Sequence, residues 1–122
     1  MKRNLHLVRA LLLYFDEKRD DAPDPAPAIG TYSDLEVSYH LILLNEAGLL
    51  RCEPIKSKTS DRVIKVIPFS LTWQGHEFLD ASRNTALWKR ATKIGKEKLG
   101  GLSFEMLKAV LSQLAKEKLG VA

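Results

Sequence analysis

Three histidines, one cysteine and a scatter of lysines and arginines are the side chains with chemistry to offer. His76 and Glu77 begin like a metal-binding HExxH helix, but Phe78, Leu79 and Asp80 follow, with no second histidine. His76 and Asp80 stand four residues apart, a spacing that predicts a surface pair on one helical face. Too few ligands converge there for a metal or acid–base centre. His40 falls on an apolar stripe beside Leu41 and Leu44, which predicts a buried, hydrogen-bonded histidine with a loop carbonyl as its partner. Cys52 opens a strand pattern with Arg51 as its one charged neighbour in the preceding chain, so packing is expected of it rather than nucleophilic attack. A single cysteine excludes an internal disulfide and every multi-cysteine zinc pattern. Gly95, Gly100 and Gly101 form neither familiar phosphate-loop spacing. No enzyme, no metal and no cofactor is expected.

The basic residues point elsewhere. The 122-residue chain carries a net charge of +4 and a pI near 9.3, which is mildly basic. Residues 1–30 cancel, and residues 31–52 are acidic through Asp34, Glu36 and Glu46. The surplus lies in two places: a hairpin with Lys56, Lys58, Arg62 and Lys65, and a helical stretch with Arg83, Lys89, Arg90 and Lys93. A polyanion would be met there, and a plain solvated surface is the competing reading of the same pattern. Trp73 and Trp88 are expected as core or interface anchors rather than base-stacking platforms.

The elements that hold these side chains read clearly. An amphipathic helix is predicted from about Asn4 to Lys18, with Leu5, Val8, Leu12 and Phe15 at helical spacing. Residues 20–30 carry three prolines at alternate positions and predict an extended loop. Ser33 and Glu36 match a capping box, and Gly48 suits the left-handed position that stops a helix. Strands are expected at 49–56 and 62–69 around a polar turn, with Pro68 marking an edge or an end. Thr72 would cap a helix to about Ser82, Asn84–Thr85 would break it from a basic segment ending near Lys98, and Ser103 would cap a last helix. The expected organisation is a domain over 1–99 and a C-terminal helix over 100–122. No apolar run approaches the ~20 residues that span a bilayer, and the leucine-rich start lacks a cleavage site. The chain is expected in the cytoplasm.

Residues YHLILLNEAGLLR (39–51) resemble the recognition-helix signature of arsenic-repressor-type winged-helix regulators. SLTWQGHEFLDASR (70–83) resembles the entry into the helix that closes such domains. With the start MKRNLHLVRALLL, the pattern over 1–90 resembles a family of uncharacterised bacterial and prophage proteins of unknown function with a winged-helix look. The resemblance implies an α+β, winged-helix-like fold: mainly helical, with a two-stranded antiparallel wing and an extra C-terminal amphipathic helix. In such regulators, base reading would fall to Ser38, Tyr39 and Asn45. The chain departs from that pattern twice. Residues 16–32 leave little room for the helix that normally crosses the DNA backbone, and Ile42 and Asn45 stand where the regulators carry Lys or Arg.

Two functions follow as expectations. The first is a small regulator that contacts double-stranded DNA through the wing and the 83–98 segment. The second is a phage or mobile-element adaptor that binds protein and no DNA. Leu107, Val110, Leu111 and Leu114 line one face of the last helix, which is expected to dock on the same chain and in part to pair with a second copy as a homodimer.

Overall fold

A computed structural model describes residues 1–25 and 27–120, with Leu99 described by its backbone alone. Ala26 of the proline loop and residues 121–122 of the expected C-terminal segment lie outside the described residues. The order is α1 (Leu5–Glu17), α2 (Asp34–Glu46), β1 (Leu50–Lys56), β2 (Val63–Leu71), α3 (Trp73–Ser82), α4 (Thr85–Leu99) and α5 (Phe104–Lys118). The fold is α+β, mainly helical, with one two-stranded antiparallel sheet. Backbone contacts divide it into two compact units, Met1–His76 and Glu77–Ala122.

In the first unit the local rules are met almost residue by residue. Asn4 caps α1, its Oδ1 accepting from the N–H groups of His6 (2.9 Å) and Leu7 (3.3 Å). Leu7, Val8, Leu11, Leu12 and Phe15 then bury the inner face of that helix. The capping box opens α2: Ser33 Oγ accepts from the Glu36 N–H at 3.1 Å, and Glu36 Oε1 accepts from the Ser33 N–H at 3.2 Å. Val37, His40, Leu41 and Leu44 form its buried face. Gly48 follows the helix with φ +72°, a left-handed turn that suits glycine.

Among the described residues no helix stands between α1 and α2, as the prolines predict. The loop is nevertheless tied down. Tyr14 donates its hydroxyl hydrogen to Asp24, the Asp24 N–H donates to the Pro68 carbonyl at 3.0 Å, and Lys18 donates to the carbonyls of Ala22 and Phe69. The bond to Asp24, followed by burial, raises the pKa of Tyr14.

β1 and β2 pair from Leu50↔Leu71 to Lys56↔Val63, with irregularities at Arg51/Cys52 and Ile55/Lys56. Pro68 lies at the first of these irregularities in a strand with a single sheet neighbour, so its missing N–H breaks no ladder. Thr72 then joins three elements. Its hydroxyl donates to the Gly48 carbonyl at 2.5 Å, its N–H donates to the Leu49 carbonyl at 3.1 Å, and its Oγ1 accepts from the Gly75 N–H at 3.1 Å.

The second unit contains the rest of α3, α4 and α5. Asn84 caps α4 by accepting from the Leu87 N–H at 3.0 Å, so the expected break after Ser82 is present. Phe78 stacks on Phe104 with ring centres 4.5 Å apart, and Trp88 tilts against Phe78 at 6.3 Å. Gly100 and Gly101 lie within the second unit. They form the turn between α4 and α5, which pack on each other; Gly100 has φ +69°, and the Gly101 N–H returns to the Gly95 carbonyl at 3.0 Å.

Candidate nucleic-acid interface

The hairpin is built so that one half is core and the other half is surface. Leu50, Val66, Pro68 and Leu71 are buried, whereas every residue of β1 from Glu53 onward is exposed. Lys56, Lys58, Arg62 and Lys65 are all exposed, and among the described residues none of them has an ion-pair partner. The turn between the strands is organised by its own polar groups. The Ser57 N–H donates to the Arg62 carbonyl at 2.8 Å, Ser57 Oγ accepts from the Thr59 N–H at 3.2 Å, and Ser60 Oγ accepts from the Arg62 N–H at 3.3 Å. Four positive side chains therefore sit on a short arm with a defined backbone. Ile55 and Ile64 are exposed beside them.

The residues expected to read bases are less well placed. Ser38, Tyr39 and Asn45 are each half-buried on α2. Tyr39 sets its ring edge-on to His40, with centres 5.7 Å apart. Ser38 alone is brought next to a hairpin cation: it and Lys65 line the same cleft, together with Asp34, Val37, Leu41, Val66, Pro25 and Pro27. That cleft was not read from the sequence, although the alternating prolines that wall it were its visible trace.

In the second unit Lys89, Arg90 and Lys93 are exposed on α4, and Lys93 faces Glu97 at 3.9 Å. Arg83 pairs with Asp80 at 3.4 Å at the end of α3. Asp80 is thus not the partner of His76. His76 Nδ1 instead lies 3.9 Å from Asp16 of α1, because the first turn of α3 faces the end of α1 within the first unit. Trp88 is buried as expected, but Trp73 is 75% exposed and is no core residue. On α5, Leu107, Leu111 and Leu114 are buried within the chain and Val110 is half-buried. The face expected to meet a second copy is already covered.

His40 is the buried histidine that the stripe predicts. It is 1% exposed, its Nδ1–H donates to the Glu36 carbonyl at 2.8 Å, and its Nε2 accepts from the Asn4 N–H at 2.8 Å. Both ring nitrogens are used structurally, tying the start of α1 to α2. Burial pushes the Cys52 thiol up to about 11, so it is a protonated packing group at neutral pH. Among the described residues no three His, Cys, Asp or Glu side chains gather as metal ligands would. No helix of the described chain is long and apolar enough to cross a membrane.

Residues 2–102 match the profile of a family described as "Hypothetical protein (DUF2513)". This chain belongs to the DUF2513 family. The DUF2513 match covers α1 through α4 and ends at Leu102. A relative described as an uncharacterized protein, from Haemophilus influenzae, is 35% identical over 120 residues, 98% of this chain and 99% of its own length. No solved structure matches the chain.

Proposed function

We propose that this DUF2513 chain binds double-stranded DNA through the β1–β2 hairpin, as a small winged-helix-like regulator. The observation that carries the reading is the set of four exposed cations on that arm, none with an ion-pair partner among the described residues. Cations held apart from acids and presented on a rigid turn are the means by which a protein displaces counterions from the phosphate backbone. Lys89, Arg90 and Lys93 on α4 supply a second set of phosphate contacts. Base reading is a small part of the interaction, because Ser38, Tyr39 and Asn45 are half-buried and, among the described residues, no helix stands between α1 and α2 to cross the DNA backbone.

The test is fluorescence anisotropy of mixed-sequence duplex titrated with the full chain at several salt concentrations. The four arm cations alone give a slope of log K against log salt of roughly −3 to −4, and the three of α4 steepen it to about −6. No binding at low salt removes the reading.

Trp73 favours a second reading. An indole left 75% exposed, with Leu35 68% exposed elsewhere on the first unit, is the kind of side chain that anchors a protein partner. Under this reading the chain is an adaptor of a phage or mobile element. A Trp73→Ala variant that keeps DNA affinity but loses a partner would separate the two. A homodimer through α5 belongs to either reading only if that helix leaves its place, since three of the four expected contact residues are buried.

A further inference from the structure

The cleft between the proline loop, α2 and β2 lies wholly within the first unit and has a volume of about 240 Å³. That is room for about eight waters at ~30 Å³ each, below the range of drug-sized sites and suited to a molecule of amino-acid size. Its lining has two characters. Val37 and Leu41, one turn apart on α2, form an apolar rail with Val66 and the rings of Pro25 and Pro27. Three polar residues complete the lining: Asp34 and Lys65, both exposed, and the half-buried Ser38.

None of the three has a partner among the described residues, either with one another or elsewhere. Ser38 is the telling case. A half-buried serine inside a helix can turn its hydroxyl back onto the carbonyl four residues earlier, yet Ser38 lines the cleft and makes no such bond. Asp34 and Ser38 are likewise one turn apart, so carboxylate and hydroxyl lie along one wall, while Lys65 comes from the hairpin. Opposite charges that share a small, partly apolar cleft without closing into an ion pair leave room for a third body that carries both complements. A few convergent polar groups over an apolar floor is the general make-up of a small-molecule site.

We propose that this cleft binds a free aliphatic α-amino acid of about leucine size. Lys65 takes the ligand's carboxylate, Asp34 takes its ammonium group, Ser38 bonds to the carboxylate, and the apolar rail takes the side chain. The proposal does not rest on DNA binding, although the site shares Lys65 with the cations of the hairpin arm.

The test is a titration of the full ¹⁵N-labelled chain with L-leucine, N-acetyl-L-leucine and L-leucinamide, followed by amide resonances. L-leucine should shift the amides of Ser38, Leu41 and Val66 with a dissociation constant on the order of 1 mM. N-acetylation removes the cation and amidation removes the anion, so each analogue should bind at least about tenfold more weakly. Asp34→Asn and Lys65→Met should each weaken L-leucine to the same extent while the remaining amide spectrum stays native. Equal binding of the N-acetyl compound would indicate a peptide C-terminus or simple carboxylate and overturn the proposal. Absence of shifts with L-leucine, or shifts unaffected by both substitutions, would overturn it as well.

Discussion

A Cβ placed on Gly75 would lie 2.1 Å from the carbonyl oxygen of Leu49. The first turn of α3 thus rests directly on the backbone that leaves α2, with no space for a side chain between them. Backbone cannot swing aside as a flexible side chain can. Gly75→Ala must therefore push α3 away from the Thr72 junction, at a cost of about 3 kcal/mol or more. Gly48→Ala meets no atom within 4 Å and suffers only from its φ of +72°, about 1 kcal/mol. Urea melts of the two variants should rank them in that order. A Gly75→Ala protein as stable as the parent would show that the contact is not made.

The second prediction concerns His40. Replacing it with phenylalanine keeps volume and burial but removes the acceptor of the Asn4 N–H and the donor to the Glu36 carbonyl. The Glu36 carbonyl keeps its bond in the α2 ladder, but the Asn4 N–H is left without a partner, which should cost about 1–3 kcal/mol. Hydrogen exchange at the start of α1 should accelerate more than exchange in α5, which lies in the other unit.

The two tryptophans should behave oppositely. Trp88→Ala opens a cavity under Phe78 and should cost about 3–5 kcal/mol, whereas Trp73→Ala should change stability by less than about 0.5 kcal/mol. Acrylamide should quench the fluorescence of a Trp88→Phe variant, which retains Trp73, far more than that of a Trp73→Phe variant. Comparable quenching in the two would contradict the exposures.

Cys52 gives a pH dependence with a definite sign. Its folded pKa is raised, to about 11 from an ordinary 9.0, so folding favours the protonated thiol. The associated stability is fully present below the ordinary value and is lost as pH climbs through the interval to about 11. At pH 8 the thiolate fraction should be about 100-fold lower in the folded than in the unfolded chain. Alkylation by iodoacetamide, followed by intact mass, should be slow in buffer and fast in denaturant. Equal rates would refute the burial argument.

Charge reversal on the arm separates the functional readings. Lys56→Glu, Lys58→Glu and Arg62→Glu combined should leave the melt nearly unchanged, because these side chains are exposed and unpaired, yet reduce duplex affinity by about 100-fold or more at low salt. Unchanged affinity would move attention to α4 or to Trp73.

What the sequence made legible was whatever a residue decides with its near neighbours. The Ser33–Glu36 box, the Asn84 and Ser103 caps and the turn at Gly48 are each settled by a side chain reaching a backbone group within a few residues. Long-range choices were not legible. His76 finds Asp16, sixty positions away, rather than Asp80 on its own helix, and no pattern along α3 announces this. Trp73 stays exposed because Gly75 and Thr72, not the indole, face the Leu49 backbone. The hairpin cations could be read from the sequence, but that they have no partners could not. The cleft needed the proline loop to fold back against β2, which the bond from the Asp24 N–H to the Pro68 carbonyl records.

The attachments of α1 also bear on the order in which the chain assembles. The β1–β2 hairpin closes within 22 residues, whereas the Asn4–His40 and Lys18–Phe69 bonds close loops of 36 and 51 positions. Loop entropy must be met before such distant contacts give anything back. In the first unit α1 is therefore the late arrival in folding and the early departure in local opening. Its undocking would free the proline loop while leaving the hairpin paired.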